Sequence, residues 1–259
     1  MFSLAQLQRS FMHAPVPPLI PADMLLLAYR SGIFPMADSR DDPEIFWVEP
    51  RERAVFSLEE FAPGRTLRKI VRQDRYRVTC DTAFADVVAA CAAPRPGHPE
   101  SWISHRIAAS YAALHDLGHA HSIECWDGND LVGGLYGVSF DRVFCGESMF
   151  SRADNASKVA LVWLVAILKE AEVTLLDCQF MTDHLASLGA VEMSQDDYVK
   201  LVQQARGLAA KTLGEAYSAL VGAAAGSGSA GVARAESGAG ARAASSPGKL
   251  IAQSFTQTS

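Results

Sequence analysis

The chain has 259 residues, of which 49% are hydrophobic and 20% are charged. Such a composition builds one large or two small globular domains, and it excludes a chain that is disordered or fibrous throughout. The five cysteines are scattered and form no C-x-x-C pair, which argues against a zinc ribbon and a disulfide scaffold. Neither a signal peptide nor an apolar run of about 20 residues is visible, so we expect a cytoplasmic protein without a membrane partner.

The net charge of −6 hides one basic segment. Residues 65–77 carry a local charge of +5, so the remainder of the chain carries −11. Arg65, Arg68, Lys69 and Arg72 are spaced i, i+3, i+4, i+7 and therefore share one face of a predicted helix. The acidic remainder argues against a DNA-binding protein, whereas one short basic face suits the phosphates at one end of an RNA. An ordinary solvated charged face is the alternative.

The first half of the chain predicts short elements separated by prolines. Residues 1–20 are proline-rich and predict a loose leader. The following elements are expected: a helix over 21–31, turns and short strands over 32–56, the basic helix from 65, a strand over 76–79 and a helix over 84–93. We interpret residues 21–96 as a small N-terminal α/β domain.

The second half predicts a more regular mixed arrangement. The expected elements are a helix over 105–117, strands over 121–126, 131–140 and 143–150, a buried helix over 155–171, a strand over 174–180, a helical turn over 183–188 and a helix over 195–206. The fold class is therefore α/β (α+β) with a mixed sheet, and residues 97–221 form the second domain.

The composition changes after residue 222. From Gly222 to Gly248, 23 of 27 residues are Gly, Ala, Ser or Pro. Such a stretch buries too little apolar surface to offset the entropy of ordering it. We predict that residues 222–259 are disordered.

The element order from Leu131 to Ala190 resembles the acyl-transferase half of the acetyltransferase superfamily. An enzyme of that kind that uses CoA holds the pyrophosphate in a glycine loop at a helix N-terminus. Here the corresponding residues read RADNAS, with Asn155 and Ser157 in place of the glycines. The architecture indicates acyl transfer while the CoA site looks absent, and a CoA-dependent N-acyltransferase stays as an alternative.

Seven motifs in one order carry a more specific resemblance. They are RSGIFPM (30–36), IFWVEPRERAV (45–55), SWIS (101–104), YAALHDLGHAHSIECW (111–126), LVGGLYGV (131–138), FCGESMFSRADNASKVAL (144–161) and DCQFMTDHLASLGA (177–190). Over about residues 19–206 the chain resembles the bacterial leucyl/phenylalanyl-tRNA–protein transferases. The resemblance implies a small N-terminal domain, an acetyltransferase (GNAT)-like catalytic domain, and neither cofactor nor metal.

The resemblance also implies the reaction. Leucine or phenylalanine, with methionine as a further candidate, passes from aminoacyl-tRNA to the α-amino group of proteins that begin with Arg or Lys. The product is marked for the bacterial N-degron pathway. The implied partners are leucyl-tRNA, phenylalanyl-tRNA and the acceptor proteins. Because the ester is already activated, such an enzyme mainly has to align it with the amine.

Asp177 and Gln179 are the candidate catalytic pair. Two residues apart on a predicted strand, their side chains share one face, where a carboxylate and an amide hold the attacking amine. Glu147, on a neighbouring strand, is the candidate anionic partner of the acceptor's Arg or Lys, together with Asp177. The alternatives are that the pair satisfies backbone groups and that Glu147 faces solvent.

Selection of Leu and Phe requires an apolar pocket. The candidate lining residues are Met149, Phe150, Leu161, Leu164 and Leu176. Trp47 and Trp102 match family positions that contact the 3′-terminal adenosine or the pocket, and a base stacks well on such a ring. For each of these residues an ordinary core position is the alternative. The basic face would contact the phosphates of the tRNA.

Two rival interpretations remain at this point. His115, His119 and His121 suggest a metal site, but their spacing matches no recognised zinc motif, so we expect no metal. A module that binds protein N-termini or RNA without chemistry is the second rival, and it would not need Asp177 and Gln179.

Overall fold

The computed structural model describes residues 18–95, 99–226 and 246–256. It has a seven-stranded mixed sheet with helices on both faces and a separate two-stranded sheet, which confirms the α/β class. The helices are α1 (Ala22–Arg30), α2 (Arg65–Arg72), α3 (Phe84–Cys91), α4 (His105–Asp116), α5 (Ala156–Glu170), α6 (Asp183–Ser187), α7 (Gln195–Gln204), α8 (Leu213–Gly226) and α9 (Pro247–Ser254). The strands are β1 (Phe34–Met36), β2 (Phe46–Val48), β3 (Glu52–Phe56), β4 (Arg77–Cys80), β5 (Ala120–Asp127), β6 (Asp130–Phe140), β7 (Val143–Ser151), β8 (Leu175–Asp177) and β9 (Val191–Ser194).

The large sheet joins the two segments that the sequence divides at residue 96. Its strand order is β4-β5-β6-β7-β8-β3-β9. Strands β3 and β4 come from the predicted N-terminal domain, yet β3 lies between β8 and β9 and β4 pairs with β5. The predicted boundary therefore does not separate two sheets. Only α1, β1 and β2 of that segment's regular elements precede the first strand of the large sheet.

Helix α5 fills the core on one face of the sheet. Of its 15 residues, 12 are buried, which explains the uninterrupted apolar run in its sequence. A side chain at Gly133 would place its Cβ 2.5 Å from the Cβ of Ala156 at the start of α5. Glycine is therefore required where β6 and α5 approach. Helices α1, α3, α4 and α7 contribute to a second apolar cluster, which includes Tyr136 and Val138 of β6.

The sheet opens between β7 and β8. These strands are parallel and pair only from Val143 to Cys145, opposite Leu175 to Asp177. The predicted strand over 174–180 ends at Asp177, and two residues later Gln179 turns to a φ of +65°. Strand β7 continues without β8 beside it.

The prediction of disorder over residues 222–259 is wrong for part of that segment. Helix α8 extends to Gly226. Ile251 of α9 and Phe255, which directly follows α9, are buried in the core around α5. The composition argument covers residues 222–248 and does not extend to KLIAQSF (249–255), whose apolar residues share one helical face. Residues 227–245 and 257–259, and residues 1–17 of the predicted leader, lie outside the described residues.

Candidate active site

A cavity of about 330 Å³ lies where β7 and β8 separate. One part of its wall is apolar and another part carries polar groups, and both come from elements that the open sheet brings together. Its lining includes Met36, Trp102, Leu135, Tyr136, Glu147, Met149, Leu161, Leu164, Leu176, Gln179 and Phe180. A cavity with apolar walls and a few polar groups is the usual form of a small-molecule or side-chain site.

The structure brings most of the predicted pocket residues together. Trp102, Met149, Leu161, Leu164 and Leu176 all line the cavity.

Two predicted pocket residues lie elsewhere. Phe150 is buried away from the cavity lining in the second apolar cluster, with the Arg152 guanidinium 5.2 Å from its ring centroid. The alternation of β7 places it on the face opposite to Met149, so its assignment to the pocket is corrected. Trp47 is 39% exposed on β2 and is not part of the lining, although it lies in the hairpin that contributes Met36.

Asp177 is held in a buried ion pair. Its side chain is 0% exposed and that of Arg53 is 1% exposed. Arg53 donates to both carboxylate oxygens, Tyr198 Oη donates to Oδ2 at 3.2 Å, and the Gln179 N–H donates to Oδ1 at 2.8 Å. The carboxylate is outside the cavity lining and already occupied. The prediction that Asp177 contacts the amine or the acceptor's cation does not match this geometry, in which Arg53 engages the carboxylate.

The same pair changes the electrostatics of Arg53. Burial is the largest single influence on the guanidinium and lowers its pKa. The charge of Asp177, the smaller charge effects of Tyr198 and Cys145 and the hydrogen bond to Asp177 together raise the pKa above its ordinary value. Arg53 also donates to the carbonyl of Gly32 at 3.2 Å, and its guanidinium lies 4.2 Å from the ring centroid of Tyr198. Arg53 therefore stays charged and joins three parts of the chain.

Gln179 does face the cavity, but not by strand alternation. Its φ of +65° places it outside β8, so the argument that Asp177 and Gln179 share one strand face does not apply. Its Nε2 donates to Glu147 Oε1 at 2.9 Å. This bond fixes the amide orientation, and the Gln179 Oε1 makes no hydrogen bond within the described residues. The amide thus offers an acceptor to a ligand.

Glu147 lies in a ring of hydroxyl groups. Tyr29 Oη is 2.8 Å from Glu147 Oε1, Tyr111 Oη is 2.9 Å from Oε2, and the two phenol oxygens are 2.6 Å apart. The two phenols supply two protons for three contacts, so a proton on the carboxyl is needed to complete the ring. Burial, the largest cause, raises the pKa of Glu147 to about 7 despite the hydrogen bonds that stabilise its anion. Geometry and pKa therefore agree on a carboxyl that holds a proton up to neutral pH.

Tyr136 brings a polar atom without a partner to the cavity wall. Its hydroxyl is buried, and it makes no hydrogen bond within the part of the chain that the structure describes. Burial, and next the charge of Glu147, raise its pKa well above the ordinary value, so the hydroxyl keeps its proton. An unpaired buried hydroxyl costs about 1–3 kcal/mol. A ligand in the cavity that accepts a hydrogen bond from Tyr136 removes this cost.

The predicted basic face lines a second cleft. Arg65, Arg68, Lys69 and Arg72 face residues of α9 across it. Of the three histidines of the rival metal interpretation, His119 contacts the Ser139 carbonyl and His121 the Asp81 carboxylate. His115 contacts the Ala120 carbonyl, and its Nδ1 lies 3.9 Å from Asp81 Oδ1. Among the described residues, no group of His, Cys, Asp and Glu is placed to hold a metal ion. None of the described helices is long and apolar enough to cross a membrane.

Sequence reasoning missed Arg53, Tyr29, Tyr111 and Tyr136. The sequence does mark Arg53, because it is the one charged residue between Glu52 and the apolar end of β3. The tyrosines had none, since an aromatic residue in a buried helix or strand is ordinarily core. Only the fold shows that their hydroxyls meet Glu147 or the cavity.

We predict that Arg53→Met lowers the free energy of unfolding by about 3–5 kcal/mol, because it leaves the buried Asp177 without its cation. Urea denaturation at neutral pH measures this loss. Arg75→Met is the matched control: it breaks the Arg75–Asp127 pair, whose side chains are 53% and 47% exposed, and should barely move the midpoint. Equal effects of the two substitutions would contradict the assignment.

We predict that Glu147 makes the protein less stable as the pH rises from about 4.5 to about 7. Its pKa is raised on folding, so in this window the folded state keeps a proton that the unfolded state releases. Glu147→Gln keeps a donor and an acceptor in the ring and removes this titration. The difference in unfolding free energy between variant and wild type should therefore grow through the window and level off on the order of 3 kcal/mol. A difference that stays constant with pH would refute the protonated ring.

Two family models match this chain. The family model described as leucyl/phenylalanyl-tRNA protein transferase matches residues 55–203, and the model of its N-terminal domain matches residues 20–51. The division between the two matches therefore lies just before or within β3, not at residue 96.

Two relatives are named leucyl/phenylalanyl-tRNA–protein transferase. The one from Novosphingobium aromaticivorans is 55% identical and covers 94% of this chain and 98% of its own. The one from Rhizorhabdus wittichii is 56% identical, with coverages of 74% and 77%. A functionally unknown conserved protein from Staphylococcus epidermidis has 10% identity and a TM-score of 0.39 over 70% of this chain and 67% of its own, too low to support an inference. The chain belongs to the leucyl/phenylalanyl-tRNA–protein transferase family of aminoacyltransferases.

Proposed function

We propose that this protein transfers leucine or phenylalanine, and methionine as a further substrate, from aminoacyl-tRNA to proteins with an N-terminal Arg or Lys. The new N-terminus marks the acceptor for the N-degron pathway of the cytoplasm. The observation that carries the proposal is the cavity itself, in which an apolar wall meets Gln179 and Glu147. An aminoacyl ester and an amine need these two environments side by side.

The apolar wall suits the side chain of the donor amino acid. Leu161, Leu164, Leu176 and Met149 surround a space that a leucine or phenylalanine side chain fills, and each buried methylene contributes about 0.8 kcal/mol. Smaller side chains leave part of that space empty and bind more weakly. The half-buried Trp102 on the lining offers a flat surface to the 3′-terminal adenosine.

Exposed aromatic rings can extend that surface outside the cavity. Trp47 and Phe46 of β2 are 39% and 44% exposed, and Phe180 on the cavity lining is 45% exposed. Stacking of a base on one such ring is worth roughly 1–3 kcal/mol. We therefore assign Trp47 to the tRNA terminus outside the cavity.

The reaction needs alignment and one proton transfer. The nitrogen of the acceptor's α-amine attacks the ester carbonyl carbon, the C–N bond forms, and the bond from that carbon to the ribose oxygen breaks. The amine loses a proton and the departing ribose oxygen gains one. The Gln179 Oε1 accepts a hydrogen bond from the amine and holds it against the ester, and such positioning contributes up to roughly 7–11 kcal/mol.

Glu147 supplies the acceptor side of the site. With a pKa of about 7, its carboxyl ionises readily when a guanidinium or ammonium group approaches. The cost of giving up the ring proton near neutral pH is small, since one pKa unit corresponds to about 1.4 kcal/mol. An N-terminal Arg or Lys then gains a buried anion. Asp177 does not share this role, because Arg53 already occupies it.

The deciding experiment combines the purified protein, leucyl-tRNA and a short peptide that begins with Arg. Mass spectrometry should show the peptide gaining one leucine, and ribonuclease should abolish the gain. The same peptide with an acetylated α-amine is the matched control and should stay unchanged. No gain from leucyl- or phenylalanyl-tRNA, with acetylation from acetyl-CoA instead, would replace the proposal by a CoA-dependent acyl transfer.

In this assay we predict that Gln179→Ala lowers kcat/KM by about 100-fold, because the amine loses its acceptor in the bound complex. Gln203→Ala removes an exposed amide on α7 and should leave the rate unchanged. A Gln179→Ala enzyme with the wild-type rate would remove Gln179 from the reacting groups.

A further prediction concerns Tyr136. Tyr136→Phe deletes a buried hydroxyl that has no partner within the described chain, so the free protein should be as stable as wild type or more stable. Transfer should nevertheless slow by about 10-fold or more, because a substrate oxygen in the cavity loses its donor. Thermal unfolding and the transfer rate are measured on the same sample. Unchanged transfer, or a loss that follows a loss of stability, would contradict a substrate contact.

A further inference from the structure

The basic face of α2 is one wall of a cleft whose other wall is α9. The α2 wall consists of Arg65, Arg68, Lys69 and Arg72. The other wall consists of Lys249, Ala252 and Gln253 of α9, with Thr256 just after the helix. Its volume is about 380 Å³. Helix α9 lies beyond the family match, which ends at residue 203, so the match assigns it no role.

Helix α9 is packed into the fold. Phe255 is 5% exposed and packs edge-on against Phe61 with ring centroids 5.7 Å apart. The ammonium group of Lys169 on α5 lies 5.5 Å from the centroid of the same ring. Ile251 is 2% exposed, so α9 contributes buried side chains to the core around α5.

A glycine sets how closely α9 approaches α2. The N–H of Gly248 donates to the Asp74 carboxylate at 2.9 Å. A Cβ at this position would lie 2.0 Å from the carbonyl oxygen of Val71, a distance no side chain can occupy. Any larger residue here must push α9 away from α2. A substitution at Gly248 therefore tests whether the cleft needs α9 as a wall.

The charges of the cleft are unbalanced. Its five cationic side chains, the four of the α2 face and Lys249, make no ion pair or side-chain hydrogen bond within the described residues, and no carboxylate is on the lining. Five like charges around one cleft on an acidic protein favour a polyanion. Lys and Arg with Gln and Thr are also the side chains that contact sugar and phosphate groups of nucleic acids.

We propose that α2 and α9 together bind the sugar-phosphate backbone of the donor tRNA, with Lys249 contacting a phosphate. This rests on the proposed function, which supplies the tRNA. Helix α5 links the cleft to the active site, since its Leu161 and Leu164 line the cavity and its Lys169 contacts α9. The helix has 15 residues and is about 22 Å long, so one RNA can contact both places. The docked C-terminal helix thus extends the RNA-binding surface.

The test measures tRNA binding by the full chain. Fluorescence anisotropy gives the Kd at each of a series of salt concentrations. Lys249→Ala should raise the Kd at low salt and reduce the slope of log K against log salt by about 0.9, as expected for the loss of one phosphate contact. Lys249→Arg should restore the slope. Lys200→Ala on α7 is the matched control, because it removes one exposed lysine whose ammonium binds Asp197. Equal slopes for Lys249→Ala and Lys200→Ala would overturn the proposal.

Gly248→Ala tests the role of α9 as a wall. Displacement of α9 should weaken tRNA binding at least as much as Lys249→Ala. If Gly248→Ala lowers thermal stability without changing the Kd, α9 is a structural element only and the proposal fails. If tRNA binding depends on Lys249 but no leucine or phenylalanine is transferred, the cleft stands and the proposed function fails.

Discussion

The buried pair of Arg53 and Asp177 is the interaction on which the candidate site depends. It joins β3 to β8, and through the Gly32 carbonyl and the Tyr198 hydroxyl it also reaches the turn after α1 and helix α7. Removing two charges from water is costly, and the cost is offset here because each group has several partners in addition to the other. Such a pair gives little net stability, but it fixes how four segments of the chain meet.

The same pair also fixes the position of the neighbouring Gln179. Asp177 accepts the N–H of Gln179 and so stabilises a left-handed backbone at the end of β8, and this turns the Gln179 amide toward Glu147. Two carboxyl groups thereby lie near each other in different surroundings. Asp177 faces a guanidinium, while Glu147 is surrounded by hydroxyl groups and has a raised pKa.

The sequence predicted the regular elements and the family, and it missed what depends on departures from regularity. Periodicity located α4, α5 and the β5–β6–β7 hairpins because these elements follow their ideal patterns. Leu161, Leu164 and Met149, candidates for the apolar lining, do lie on one cavity wall. Sequence reasoning misjudged Asp177 because no pattern in the sequence pairs this residue with Arg53, and the alternation rule fails at Gln179 because β8 ends at Asp177. It misjudged α9 because the composition of residues 222–248 does not describe the residues after it, where Ile251, Ala252 and Phe255 are buried in the core.

The opening between β7 and β8 explains why one cavity carries two environments. In a closed sheet, side chains on opposite faces are separated by the backbone of the strands. Here Leu161 and Leu164 approach from the side of α5, whereas Glu147 and Tyr136 belong to the side of α4. Because β8 stops while β7 continues, both sets border the same space. An ester with an apolar side chain and an amine with a charged one can therefore be held against each other where neither face of an intact sheet would suffice.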